Sequence, residues 1–73
     1  MWSFNRERLI ALREAHNTSQ DSLAEKIGTS KQHVSQWETG KITPQTNTIC
    51  KIANLFGVSP LYFFTEVITN RQD

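Results

Sequence analysis

The stretch SQDSLAEKIGTSKQHVSQWE, residues 19–38, decides how this chain folds. It divides at Gly28 into two segments, each with a serine opener, an apolar inner face and good helix formers. Ser19 is placed to cap a helix whose inward residues are Leu23, Ala24 and Ile27, and Ser30 to cap a second with Val34 and Trp37 turned inward. A capping hydroxyl accepts a hydrogen bond from an amide that the first turn leaves unpaired, and Gly28 takes the positive φ that ends the earlier helix. Two helices joined by so short a turn cannot lie side by side, so they must cross.

The second of these helices leaves one face unclaimed by the core. Lys31, Gln32, Ser35 and Gln36 share its outer surface near the N-terminal end, at i, i+1, i+4 and i+5, and none carries a negative charge. Primary amides and a lysine are the groups that donate to and accept from base edges in the DNA major groove, which is wide enough to admit one helix. The chain here resembles the phage repressor and Cro-type helix-turn-helix proteins, the xenobiotic-response-element family. The resemblance runs from about Leu9 to Phe64 and is carried by Arg13, Ser19-Gln20, Leu23-Ala24, Gly28, Ser30, Val34-Ser35, Trp37-Glu38, Gly40-Lys41, Pro44, Ile52-Ala53 and Gly57-Val58-Ser59.

That resemblance implies an all-α fold, a compact five-helix lambda-repressor-like DNA-binding domain with the helix-turn-helix formed by helices 2 and 3. It implies a bacterial or phage-encoded repressor working in the cytoplasm, and an ion pair between Arg13 and Glu38 tying the first helix to the third. The residues alone leave open a solvated surface pair at those two positions. Family members often carry a glutamine where this chain has Lys31, braced by the residue matching Gln20; lysine favours guanine at the corresponding base pair. They commonly have glycine at Asn17 and an apolar residue at Thr18, so a looser corner before the motif is expected here.

At 73 residues the sequence holds one domain, with a core expected over about residues 5–65 and a frayed tail over 66–73. A domain of this size buries only about 60% of the surface its unfolded chain exposes, so every apolar face must be used. Apolar residues at 37% and charged residues at 21% fit a small soluble helical protein. No apolar run approaches the roughly 20 residues that span a bilayer, and the N-terminal MWSFNRER lacks the apolar core of a signal peptide. The single cysteine, Cys50, has no internal disulfide partner and makes no metal-ligand spacing with His16 and His33; it reads as a small, partly buried helix residue.

The net charge of +1 is unevenly spread. Residues 1–25 set Arg6, Arg8 and Arg13 against four acids, and the tail sets Arg71 against two; residues 26–65 set Lys26, Lys31, Lys41 and Lys51 against Glu38 alone. With Glu38 paired internally, the middle of the chain presents cations and no carboxylate. Such a face meets phosphates by displacing counterions.

Outside the motif, Asn5 is placed to cap a first helix marked by Leu9 and Leu12 and ending near His16, with Asn17 tolerating a left-handed conformation. Ile42 is expected beneath the turn at Thr39-Gly40-Lys41. A fourth helix should open near Thr43-Pro44 or Thr46, with Ile49, Ile52, Ala53 and Phe56 inward and Gly57 closing it. Ser59-Pro60 then starts a short fifth helix whose Leu61, Phe63 and Phe64 exceed what one turn can hide. The surplus predicts a homodimer through Leu61, Tyr62, Phe64 and Val67, as repressor-like domains resembling this one often pair through their last helix. In the plainer reading Phe63 and Phe64 complete the monomer core.

Holding phosphates and reading bases are separate tasks. Ser19, Gln20, Lys41, Thr43, Gln45, Thr46 and Asn47 are the expected phosphate contacts, with Thr18 as a further donor; the free amides at the start of the helix after Ser19 favour an anion. Lys31, Gln32, Ser35 and Gln36 are the expected base contacts: lysine suits guanine O6 and N7, and glutamine makes paired bonds to adenine N6 and N7. His33 reads as a solvated helix residue or as a further contact to a phosphate or a thymine methyl. The partner expected is double-stranded DNA carrying an inverted repeat, with half-sites about 34 Å apart. A second class, an antitoxin-like protein-interaction module of the same fold, would call for acidic or large apolar residues at 31, 32, 35 and 36. An enzyme reads poorly: Ser35 and His33 are two apart on one helix and do not face each other, and no cofactor loop, metal set or carboxylate pair is present. No small-molecule substrate is evident.

Overall fold

The computed structural model describes residues 1–67, and helices dominate it. The order is β1 (Trp2–Phe4), α1 (Arg6–Ala15), α2 (Gln20–Ile27), α3 (Lys31–Glu38), α4 (Thr46–Phe56), a 3-10 helix (Pro60–Phe63) and β2 (Phe64–Glu66). Local chemistry sets most of the boundaries. The side chains of Asn5, Ser19 and Ser30 each accept a hydrogen bond from an amide three residues on, and α2 and α4 end on Gly28 and Gly57 in the left-handed conformation. Asn17 also takes a positive φ, 52°, at the corner after α1.

Leu9, Leu23, Ala24, Ile27, Val34, Trp37, Ile49, Ile52, Ala53 and Phe63 form one core, with Phe4, Leu12, Phe56, Val58 and Phe64 packed against it. Apolar residues from α1 to α4 thus meet in a single cluster, which is what holds so short a motif at a fixed angle. No described helix is long and apolar enough to cross a membrane.

Several expectations are corrected. The described residues contain four α-helices, not five, because the segment opened by Ser59-Pro60 is a four-residue 3-10 helix. The fold is not purely helical either. Phe64 already has extended dihedrals, and β2 pairs antiparallel with β1 in the register Trp2↔Glu66, Ser3↔Thr65 and Phe4↔Phe64. Aromatic and β-branched residues favour this extended state, and the Asn5 amide bond to the Phe63 carbonyl at 2.6 Å brings the two ends together. Glu66, expected in the tail, is therefore the last residue of β2, and the Val67 amide bonds to the Met1 carbonyl at 2.6 Å. The rest of the expected tail, residues 68–73, lies outside the described residues.

Neither Thr43 nor Thr46 caps α4: Gln45 is its N-cap, without a side-chain bond, and Pro44 is buried in the preceding loop. Ile42 is 47% exposed and so is no anchor under the turn. The corner at Thr18 is tied down rather than loose: Thr18 is buried, its hydroxyl donates to the His16 carbonyl at 3.1 Å, and its own carbonyl accepts from Arg13 Nη1 at 2.9 Å.

Candidate functional site

Helix α3 is anchored on one side and bare on the other. Val34, Trp37 and Glu38 are buried, Lys31 and Gln32 are exposed, and Ser35 and Gln36 are half-buried. Among the described residues no side-chain hydrogen bond engages Lys31, Gln32, Ser35 or the Gln36 amide, so these polar groups are free to meet another molecule. Ser30 starts the helix with its hydroxyl oxygen accepting from the His33 amide at 3.3 Å. His33, on the exposed rim, has Nδ1 hydrogen-bonded to Thr29 Oγ1 at 2.8 Å, which leaves Nε2 for an outside partner.

The opposite end of α3 is fixed by charge. Arg13 grips the Glu38 carboxylate with two donors, Nε to Oε2 at 2.6 Å and Nη2 to Oε1 at 3.0 Å, and Gln20 Nε2 adds a third bond to Oε1 at 2.8 Å. Glu38 is only 6% exposed, so this is a buried pair and not a solvated one. The hydrogen bond to Glu38 holds the Arg13 guanidinium further above its ordinary pKa, outweighing the opposing effect of burial. Since Glu38 is the one acid between residues 26 and 65, its burial leaves that stretch exposing lysines alone.

The expected phosphate contacts divide. Lys41, Thr43, Gln45, Thr46 and Asn47 are exposed, and a cleft lined by Thr29, His33, Trp37, Ile42, Thr43, Pro44, Gln45 and Thr48 sets the start of α3 beside the α3–α4 loop. Ser19 is exposed, with its hydroxyl oxygen accepting from the Ser22 amide at 3.0 Å. Gln20 is half-buried and donates from Nε2 to Glu38 Oε1 at 2.8 Å, while its backbone N–H at the first position of α2 is one of those a helix start leaves without a partner in the helix. Thr18 is likewise spent inside the corner.

Two participants escaped the sequence reading. Arg6 donates from Nη1 to the Glu38 carbonyl at 2.7 Å, and Thr29 orients His33. The Thr29–His33 spacing of four within one turn and helix start was a usable signal; nothing in the spacing of Arg6 and Glu38 was.

With this geometry in view, the relatives are informative. A family model described as Helix-turn-helix matches residues 9–63. An uncharacterised HTH-type transcriptional regulator of Methanocaldococcus jannaschii is 40% identical over 53 residues, covering 73% of this chain and 80% of the relative. An SPbeta prophage-derived, uncharacterised HTH-type transcriptional regulator of Bacillus subtilis is 36% identical over 53 residues, covering 73% of this chain and 49% of the relative. Among solved structures, the P22 c2 repressor protein in complex with a synthetic operator superposes with a TM-score of 0.76 at 26% identity, over 84% of this chain and 92% of its own. The restriction-modification controller protein C.AhdI from Aeromonas hydrophila superposes with a TM-score of 0.75 at 30% identity, over 81% of this chain and 86% of its own.

Proposed function

This chain belongs to the helix-turn-helix family, a family of DNA-binding transcription regulators, and on that premise we propose that it is a sequence-specific repressor that binds an inverted-repeat operator as a homodimer. The observation that carries the reading is the outer face of α3: four polar or cationic side chains with no side-chain hydrogen bond among the described residues, on a stretch whose one carboxylate is buried. In this reading α3 enters the major groove, Lys31 addresses guanine, Gln32 and Gln36 address adenine, and Ser35 bonds to whichever edge it meets. Ser19, Lys41, Thr43, Gln45, Thr46, Asn47 and the Gln20 backbone amide hold phosphates on either side, with His33 as a further contact through Nε2. A phage repressor bound to operator and a restriction-modification controller among the similar structures support this assignment. Occupying a promoter in the cytoplasm is the simplest way for such a domain to repress.

The dimer surface proposed is the end of the molecule around Leu61, Tyr62 and Val67, all exposed, together with the outer edge of the half-buried Phe64. Selection of bound sequences from a random double-stranded pool at a stated salt concentration tests the whole reading. A palindromic consensus is expected, and a pool that stays random would overturn it.

Within such a consensus, Gln32→Ala and Lys31→Ala are each expected to lose about 1–3 kcal/mol at one base pair and to relax the preference there. Lys41→Ala should instead weaken binding to all sequences alike and reduce the salt slope by about 1. Titration against operator variants distinguishes them, and equal losses on every duplex for Gln32→Ala would remove it from the base readers.

A further inference from the structure

We infer that Arg6 and Gln20 are positioning residues, clamping the C-terminal end of α3 from α1 and α2 so that its other end meets the bases at a fixed angle; this rests on the function proposed above. A carboxylate offers about four lone-pair sites, and the Arg13 fork leaves room for another donor. Gln20, the first residue of α2, fills it at 2.8 Å. On the backbone side, the last carbonyls of a helix have no partner within it and favour a cation. Arg6 takes the Glu38 carbonyl at 2.7 Å, and its side chain lies across the following turn, where Gly40 has φ +83° and an added Cβ would sit 3.1 Å from Arg6 Nε. Three side chains from two helices therefore converge on Glu38, whereas the N-terminal end of α3, which carries Lys31 and Gln32, is held by its own Ser30 cap.

Leverage makes the clamp matter. A helix of eight residues is about 12 Å long, so a tilt of about 5° about one end moves the other by about 1 Å. Hydrogen bonds to base edges do not survive a displacement of that size, because their donor–acceptor distances span only about 0.5 Å. Neither the Arg6 nor the Gln20 side chain needs to touch DNA to govern what α3 reads.

The test uses the full chain with Arg6→Met and Gln20→Met, which remove the donors but keep an unbranched stem, of matching length at Gln20 and shorter at Arg6, and leave both partners of the Arg13–Glu38 pair in place. Amide exchange is followed without DNA, and binding to the selected duplex and to a scrambled one is titrated over a range of salt. The Lys41 and Ile42 amides, both bonded to the Gln36 carbonyl just beyond the clamp, should exchange faster in both variants while Ile52 in α4 keeps its protection. Preference for the selected duplex should fall about tenfold, the scale of one lost paired base contact, with scrambled binding and the salt slope unchanged. Arg6→Lys, which retains a donor, should restore both properties. Unchanged exchange at Lys41 and Ile42 would overturn the clamp, and so would faster exchange throughout the core. Binding weakened alike on both duplexes with the preference intact would overturn it too, since it would make the Arg6 or Gln20 side chain a phosphate contact, with the salt slope reduced by about 1 in the case of the charged Arg6. A wild-type chain with no sequence preference would instead refute the proposed function, and the exchange measurements alone would then decide the clamp.

Discussion

Arg13→Ala is expected to lower the free energy of unfolding by about 3–5 kcal/mol, because it leaves a buried carboxylate without its cation. Glu38 would keep only the neutral Gln20 amide on its side chain, and the Thr18 carbonyl would lose its Arg13 donor as well. In a domain of this size each kcal/mol shifts the midpoint by about 4–8 °C, so thermal melting reads the effect directly. The pair itself contributes little net stability, since desolvating two charges offsets most of their attraction. Arg13→Met combined with Glu38→Leu should therefore recover most of what Arg13→Ala loses, as neither charge remains buried. Urea unfolding of the two variants checks the contrast, and a loss under 1 kcal/mol for Arg13→Ala would mean that Glu38 finds solvent. High pH cannot stand in for the mutation: the folded Arg13 pKa is raised, so its contribution is present below the unfolded value and is lost only as pH climbs through the raised one, far above working conditions.

What could be read from the sequence follows how far apart the interacting groups lie. Asn5, Ser19 and Ser30 cap their helices by bonds to amides three residues away, and Gly28, Gly57 and Asn17 turn the chain by their own dihedrals, so a local reading reaches them. The inward residues of α2, α3 and α4 follow from helical period for the same reason. The ribbon did not, because Trp2–Phe4 and Phe64–Glu66 are three-residue strands that acquire meaning only when paired across the whole chain. Gln20 illustrates a subtler limit. Its place at the first turn of α2 fits a phosphate contact as well as an inward bond, and only the fold shows that Glu38, 18 residues on, is within reach. Arg6, 32 residues from the carbonyl it binds, gave no sign at all. On α3 the outward positions were legible because the inward ones were.

Phe63→Ala is expected to cost about 3–5 kcal/mol, against a change within about 0.5 kcal/mol for Leu61→Ala in the monomer, although the two apolar residues lie within one turn. The reason is the tight winding of the 3-10 helix, about three residues per turn, which sends neighbours in different directions. Phe63 is 1% exposed, stacks on Phe4 with ring centroids 6.1 Å apart, and meets Tyr62 edge-on at 5.4 Å, while Leu61 is 74% exposed. Arg8 braces the same turn by donating to the Tyr62 carbonyl at 2.9 Å and lying 5.2 Å from the Tyr62 ring centroid. Truncating Phe63 would open a cavity beneath this arrangement and remove the ring on which Phe4 rests, so the ribbon should loosen along with the core. Chemical denaturation at low protein concentration measures the monomer contrast. The same pair of positions separates core from partner surface: Leu61→Asp should leave monomer stability intact yet abolish the concentration dependence of the melting midpoint that a dimer confers, because a carboxylate stranded in an apolar interface costs more there than in water. A midpoint independent of concentration in the unmutated protein would remove Leu61 from any dimer, and with it the reason for so exposed a leucine at the end of this fold.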